Sequence, residues 1–279
     1  MTSKARNRVA VLTGATSGIG EATARRLAAE VDTLIVLGPE SAQSVEPLIE
    51  EIRSHGVAEV HYIAADFTQL SQVIRAATEI SAAVSQINLL INDAAVPGAP
   101  ERLITVDGFE RTLQVNALAP ALLTRMLVPR LAPDARVVNV ASSAHRVERF
   151  DLDDPDLERE YSPVMAYARA KLAMVTWSSL LAEELEAQHI SVVSLCPGLN
   201  DTPLSAAMMG RIGGPPSQGA ERVLFAATAA VPSGSYLEAD SVVGTADETH
   251  DASNRMRLAT LYRERLSRFV TRPEKEGAR

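Results

Sequence analysis

The sequence predicts an α/β protein: a doubly wound parallel sheet of about seven strands with helices on both faces. Three observations carry this reading. Short, β-branched apolar runs alternate with longer stretches of helical period along most of the 279 residues. Each short run is nearly continuous in Val, Ile, Leu or Ala, as a strand covered by helices on both faces requires. A glycine-rich turn joins the first run to the first helical stretch.

The elements follow in order. A strand at 8–13 (RVAVLT) ends on the glycine turn, and a helix at 20–30 follows it. Strand 33–37 (TLIVL) leads to helix 44–55, and strand 60–65 (VHYIAA) to helix 70–86. Strand 89–92 (LLIN) leads to helix 107–131, and strand 136–141 (RVVNVA) to helix 163–189. Strand 190–195 (ISVVSL) comes next, and a run near 235–240 completes the sheet. No Pro/Gly/Ser linker and no internal repeat interrupts the alternation, so one domain over 1–279 is expected.

Three stretches break the pattern. Residues 145–161 (HRVERFDLDDPDLEREY) read as an exposed acidic insertion after the fifth strand. Residues 204–218 carry two Met, several Gly and Pro-Pro, which suits a mobile loop or lid and places a substrate loop near 203–218. The polar tail from 268 onward reads as frayed.

Composition excludes several function classes. Lys and Arg number 27 against 35 Asp and Glu, a net charge of −8. That balance argues against a nucleic-acid groove or an anionic membrane surface, which need clustered cations. The one cysteine, Cys196, permits no intrachain disulfide and no cysteine metal site, and no cation adjoins it in sequence to make it a nucleophile. His55, His61, His145, His189 and His250 show no metal-like pairing, so no metal is expected. No apolar leader opens the chain and no run reaches membrane-spanning length, so a soluble protein of the reducing cytoplasm is expected.

The turn after the first strand reads Thr13-Gly14-Ala15-Thr16-Ser17-Gly18-Ile19-Gly20. Bare backbone at Gly14, Gly18 and Gly20 can turn tightly and approach a pyrophosphate, and the helix that follows aims its free N–H groups at such an anion. The alternative is a glycine-rich strand-to-helix turn with no ligand. Tyr167 and Lys171, at i and i+4, project from one helical face. A phenol is a poor base at neutral pH, and an adjacent ammonium favours phenolate by charge attraction. Ser142 ends the fifth strand, at the carboxyl edge where ligands bind in this architecture, and a hydroxyl there can stabilise charge on a substrate oxygen.

These residues resemble the short-chain dehydrogenase/reductase family, whose hallmark TGxxxGIG matches residues 13–20 in full. The resemblance runs to about residue 240, and the segments SSAHR, FDLDD and YSPVMAYARAKLAM resemble its retinol-dehydrogenase-like branch. It implies a catalytic set of Asn116, Ser142, Tyr167 and Lys171, with Ser142 preferred to Ser143 by the family pattern. Asn116 is the residue that the family uses to link the lysine to a relay water. Pro120 lacks the N–H that the Asn116 carbonyl would otherwise accept, which leaves that carbonyl open.

The resemblance also implies a nicotinamide dinucleotide, NADP or NAD. Its contacts in the turn are Gly14, Thr16, Ser17, Gly18, Ile19 and Gly20. Gly38 follows the second strand, and Asp66-Phe67, after the third, match an adenine-contacting pair, Asp66 being otherwise a helix cap. Asn92-Asp93-Ala94-Ala95 departs from the family's NNAG at Asp93 and Ala95, with Asn92 and Ala94 retained as contacts. Tyr167 and Lys171 adjoin the nicotinamide ribose, and Pro197, Gly198, Leu199 and Thr202 match the PG-x-x-x-T that faces the carboxamide, unless they form a plain Pro-Gly turn. Gly38 and Pro39 stand where relatives carry Asp or Arg, so neither selection device is in place; Glu40 is a candidate to reach the ribose and Ser41 to hydrogen-bond a phosphate, and with no certain acidic guard NADP is slightly favoured.

The expected function is therefore NAD(P)-dependent interconversion of an alcohol, apolar in character, with its aldehyde or ketone. The Met-bearing segment 204–212 suits an apolar substrate wall or a core role equally. The alternative is a catalytically silent dinucleotide sensor or scaffold of the same fold, which Gly38-Pro39 and NDAA favour. A hydrolase is disfavoured because no G-x-S-x-G elbow is present. The resemblance implies a homodimer or homotetramer, with the runs LAPALLTRMLVP and LAMVTWSSLLAEEL paired across a two-fold axis.

Overall fold

The computed structural model describes residues 8–56 and 58–270. A single eight-stranded sheet runs in the order β3-β2-β1-β4-β5-β6-β7-β8. Its strands are β1 (Val9–Thr13), β2 (Thr33–Gly38), β3 (Glu59–Ala64), β4 (Ile87–Asn92), β5 (Leu131–Val140), β6 (Ser191–Cys196), β7 (Tyr236–Glu238) and β8 (Ser241–Val242). All neighbours are parallel except β7 and β8; β7 falls in the run expected near 235–240, and the antiparallel edge strand β8 is absent from the sequence reading. The helices are α1 (Gly18–Leu27), α2 (Ala42–Ser54), α3 (Leu70–Ala83), α4 (Arg111–Leu113), α5 (Ala119–Leu127), α6 (Pro163–Leu185), α7 (Pro203–Met209), α8 (Pro216–Thr228) and α9 (Ala252–Leu266). None among the described residues is long and apolar enough to cross a membrane.

Strand alternation divides the core. Val11, Leu90, Val137 and Val192 point into the layer with α3, α5 and α6, while Leu12, Ile91, Val138 and Val193 point into the layer with α1, α2 and α8. The chain reverses its strand order between β1 and β4, so a crevice opens at their carboxyl ends.

Several predicted elements shift for local reasons. The helix expected at 107–131 starts at Arg111, where the Glu110 carboxylate accepts the Leu113 N–H at 2.7 Å and caps the helix. Residues Gln114–Leu118 form a π turn in which Ala119 N–H donates to Gln114 O. Pro120 cannot serve the carbonyl of Asn116, and the widened turn lies beside that gap. The stretch 204–218, read as loop or lid, holds most of α7 and the start of α8, because Thr202 and Ser205 form a capping box ahead of the Met pair.

The insertion at 145–161 is not simply exposed. His145, Asp154 and Leu157 are buried, and the Asp154 carboxylate accepts the N–H groups of Glu158 and Arg159, folding the acidic run into a turn. The tail expected to fray from 268 lies outside the described residues from 271 onward.

The C-terminal helix α9 packs across α6. Tyr262 stacks on Trp177 with ring centroids 6.2 Å apart and planes 8° from parallel, and Arg255 pairs with Glu183 at 2.6 Å. Arg265 lies over Phe109 and pairs with Asp156. α6 is consequently buried on every side from Ala170 to Ser178. Part of the apolar run on α6 that the sequence offers to a partner helix is covered within the chain by α9, which the sequence reading does not identify.

Candidate active site

The loops leaving β1, β2, β3, β4, β5 and β6 at their carboxyl ends enclose one cleft of about 620 Å³. Its first wall is the glycine turn. Gly14 has φ +71°, and a Cβ there would lie 2.7 Å from Ala94 Cα; one on Gly20 would lie 2.1 Å from the Gly14 carbonyl oxygen. Thr13 Oγ1 accepts the N–H groups of Asp93 and Ala94, both at 3.0 Å, which locks the turn to the loop after β4. Ser17 caps α1 with no side-chain hydrogen bond, so no side-chain cap claims the first-turn N–H groups. Gly14, Thr16, Ser17, Gly18 and Ile19 line the cleft, whereas Gly20 only shapes the turn behind it.

The next wall follows β2 and β3. Gly38 lines the cleft, and a Cβ on it would meet Thr16 Cγ2 at 2.4 Å and Glu40 Oε2 at 2.8 Å. Tyr62 Oη donates to the Glu40 carbonyl at 2.7 Å, and burial, with the Glu40 charge adding to it, pushes that phenol up to about 12. Asp66 and Phe67 also line the cleft. Asp66 Oδ1 accepts from the Thr68 N–H and hydroxyl, so it holds a turn rather than capping α3, whose cap is Gln69.

Besides Gly20, two predicted site residues stand away from the cleft lining. Asn92 is buried and donates to Thr124 Oγ1 at 3.0 Å and Asn139 Oδ1 at 2.8 Å, and Asn139 donates on to Ser178. Its side-chain Nδ2 thus ties β4 to β5 and α5, while its Oδ1 is buried with no partner among the described residues. Asn116 is fully buried, and its side chain clamps the Val96 backbone instead of facing the cleft.

Asp93, by contrast, lines the cleft with Ala94. Its Oδ2 sits where a Gly20 side chain would begin, and burial pushes the carboxyl up to about 7, opposed by the charge of Lys171. The sequence marks Asp93 as a departure but not as an acid that can be neutral near physiological pH.

Ser142, Tyr167 and Lys171 meet on the cleft wall where β5 ends and α6 begins. Ser142 Oγ accepts the Ala144 N–H at 3.2 Å, and its own hydroxyl proton is directed to the Tyr167 oxygen. Its carbonyl is held by His145 Nδ1 at 2.7 Å, and His145 Nε2 accepts the Ala246 N–H at 3.2 Å, an arrangement that requires the neutral ring. Ser162 caps α6 and Pro163 occupies its first turn, which sets Tyr167 one turn inside. Lys171 Nζ donates to the Val140 carbonyl at 2.8 Å and stands 5.6 Å from the Tyr167 ring centroid.

The electrostatics depart from expectation. Burial pushes the Tyr167 phenol upward, with the Ser142 hydroxyl opposing it, and lowers Lys171 to about 8, with Asp93 opposing that shift. The expected lowering of the phenol by the ammonium does not appear: burial raises the phenol, the Asp93 charge adds to that rise, and it is the Ser142 hydroxyl that opposes it.

The last wall follows β6. Pro197, Gly198, Leu199 and Thr202 line the cleft. Asn200 donates to the Pro197 and Gly198 carbonyls, both at 3.0 Å, and accepts the Gly219 N–H at 3.0 Å. Arg222 of α8 donates to the Pro197 carbonyl at 2.9 Å. The sequence reading missed these two supports, and only a contact across more than 20 residues of chain connects Arg222 with its loop. The mouth of the cleft carries Val147, Val164, Leu199 and Met209, each about half exposed or more. Among the described residues no group of three His, Cys, Asp or Glu is placed to hold a metal.

Comparison with known proteins places this geometry among relatives. The family model described as short chain dehydrogenase matches residues 8–210. The chain is 38% identical over 206 residues to polyprenol dehydrogenase of Mus musculus, covering 71% of this chain and 61% of that protein. Its fold superposes on an uncharacterized protein from Mycobacterium Paratuberculosis with TM-score 0.79, at 31% identity over 93% of each chain. It matches 3-ketoacyl-(acyl-carrier-protein) reductase from Brucella melitensis, complexed with NADH, with TM-score 0.66 at 25% identity, covering 84% of this chain and 97% of that one. The chain spans between 52% and 62% of the length of the curated relatives it matches.

Proposed function

This chain belongs to the short-chain dehydrogenase family, and from that premise we propose that it is an oxidoreductase interconverting an apolar alcohol with its aldehyde or ketone through a nicotinamide dinucleotide. The observation that carries the proposal is the convergence of Ser142, Tyr167 and Lys171 on one end of a cleft whose other wall is a glycine turn. The residues fit such a group: Gly14 and Gly20 make a cradle that a Cβ would fill, and the first turn of α1 offers N–H donors to a pyrophosphate.

When bound, the dinucleotide supplies or accepts the hydride at its nicotinamide ring. The chain's own residues handle the proton and the oxygen. Tyr167, protonated in its buried setting, holds a proton ready for a carbonyl oxygen in reduction and takes the hydroxyl proton in oxidation. Ser142 turns its hydroxyl proton from Tyr167 to the same oxygen and stabilises the charge that develops on it. Lys171 has one N–H anchored on Val140, which orients the remaining N–H groups for the nicotinamide ribose. Asn116 acts at a distance, holding the loop after β4 through Val96.

The mouth side chains Val147, Val164, Leu199 and Met209 favour a substrate with an apolar body. α7 and the 210–215 connection serve as the substrate loop, and the chain works as one domain around a single sheet. The experiment is isotope transfer: with reduced dinucleotide deuterated at the nicotinamide C4 and a panel of apolar aldehydes and ketones, the product carbinol carbon gains deuterium. Dinucleotide binding with no transfer to any member of the panel favours the silent sensor instead.

A further inference from the structure

Of the five histidines only His145 is buried, and the proton and hydride steps leave it unused. It sits in the 3₁₀ turn Ser143–Arg146, which the Ser142 hydroxyl caps. The Ser142 carbonyl accepts two N–H groups from this one residue, the backbone N–H at 3.2 Å and the ring Nδ1–H at 2.7 Å. Ring Nε2 accepts the Ala246 N–H at 3.2 Å, from the segment between β8 and α9. Only a neutral ring with its proton on Nδ1 makes both bonds.

The ring is also held from the side. Tyr236 of β7 meets it edge to face, with centroids 4.8 Å and planes 68° apart. Tyr236 Oη donates to Glu238 Oε1 at 2.8 Å, and Arg146 donates to the same oxygen and to the Gly244 carbonyl, both at 2.6 Å. Two successive residues, His145 and Arg146, thus pin the turn to β7 and to the segment beyond it. Tyr236, Glu238 and Arg146 are the titratable and charged groups that face the ring. Burial weighs most against a proton on it, Arg146 opposes one and Glu238 favours one.

Ser142 is the residue this arrangement serves. Its backbone is extended, with φ −167° and ψ 151°, and its hydroxyl faces Tyr167. Carbonyl and hydroxyl belong to one residue, so a displaced carbonyl carries the hydroxyl with it, and ~1 Å of misplacement costs up to ~100-fold in rate. His145 does not line the cleft, whereas Ser142, Ser143 and Ala144 do. Its influence on the reaction passes through Ser142.

We propose that His145 is a positioning residue for Ser142: its neutral ring, strung between the Ser142 carbonyl and the Ala246 N–H, ties the reacting hydroxyl to the segment ahead of α9. A proton on Nε2 sets one N–H against another and releases the tie. The proposal rests on the alcohol–carbonyl reading of the cleft.

A double-mutant cycle tests it, with kcat for reduction of an apolar aldehyde measured for the wild type, His145→Ala, Ser142→Ala and the double variant. His145→Ala is expected to lower kcat at least ~10-fold, with the dinucleotide Kd within about 3-fold, and to add nothing once Ser142 is Ala. His145→Asn, whose Nδ2 reoccupies the place of Nδ1 as a donor, is expected to recover most of the loss. The wild type is expected to lose kcat as pH falls below the ordinary histidine value of 6.5, and His145→Asn to lack that limb. Asp93 and Lys171 titrate in both proteins, so the comparison removes them. Equal acid limbs in these two proteins overturn the proposal even where His145→Ala does not fold. So does a full His145→Ala loss on the Ser142→Ala background, and in both cases the catalytic reading stands. Unchanged kcat in Ser142→Ala, or a wild type with no turnover, overturns that reading and the proposal together.

Discussion

Asn116 holds Val96 by both of its backbone groups: Asn116 Oδ1 accepts the Val96 N–H at 2.8 Å, and Asn116 Nδ2 donates to the Val96 carbonyl at 2.9 Å. A buried carboxamide thus substitutes for a strand neighbour and sets the path of the loop after β4, which carries Asp93 and Ala94 into the cleft. Asn116→Ala strands both Val96 groups and is expected to cost about 2–3 kcal/mol in denaturant unfolding. Asn116→Asp keeps the acceptor, loses the donor and buries a charge, so it is expected to be at least as damaging. Wild-type stability in either variant would mean that the clamp is not holding the loop.

Asp93 gives a pH dependence with a definite sign. Its folded value of about 7 lies above its ordinary 3.8, so the folded protein holds a proton that the unfolded chain releases in between. This contribution to stability is fully present below about pH 4 and is lost as pH rises through 7. Asp93→Asn removes the titration. Relative to the variant, the wild type is expected to lose about 4 kcal/mol between pH 4 and pH 8, at about 1.4 kcal/mol for each unit between the two values. A difference that stays flat across that range would show that the carboxyl is not buried as described.

The α9 strap predicts the assembly state. Its contact with α6 is built on the Tyr262–Trp177 stack, with Leu258 and Leu266 buried on the same side. Sedimentation equilibrium is expected to give the single-chain mass of 29.8 kDa rather than a dimer paired through α5 and α6. A dimer in which α6 gains further protection from hydrogen exchange would contradict it.

The same contact contains a buried polar atom to be tested. Tyr262 Oη has no hydrogen-bond partner among the described residues. Tyr262→Phe is expected to be neutral or stabilising by up to about 1 kcal/mol, and Tyr262→Ala to cost about 3 kcal/mol through the cavity it leaves. Marked loss of stability in the Phe variant would reveal a partner for that hydroxyl.

Much of this architecture was readable from residue order. Six of the strands are nearly continuous apolar runs between helices, and the structure places them within a few residues of expectation because only a parallel sheet covered on both faces buries such runs. The glycine turn was readable because backbone geometry at Gly14 and Gly18 admits no other residue without strain. α9 was not, since its buried stripe is only Leu258, Tyr262 and Leu266 within an otherwise polar helix, and its worth depends on Trp177 far upstream. Asn92 and Asn116 were found as residues but not as contacts: a buried amide looks the same in sequence whether it meets a ligand, a strand or a loop. The fold-back of Glu40 over Gly38 and the support of Asn200 and Arg222 are matters of three-dimensional approach, with no local pattern to announce them.

The central claim is that the Tyr167 phenol carries the proton for hydride transfer at this cleft. The direct test compares wild type and Tyr167→Phe in steady-state reduction of an apolar aldehyde, alongside calorimetric titration with the reduced dinucleotide. The account predicts that kcat/KM falls by at least ~100-fold while the dinucleotide Kd stays within about 3-fold. Turnover that survives loss of the phenolic oxygen, with cofactor affinity unchanged, would contradict it.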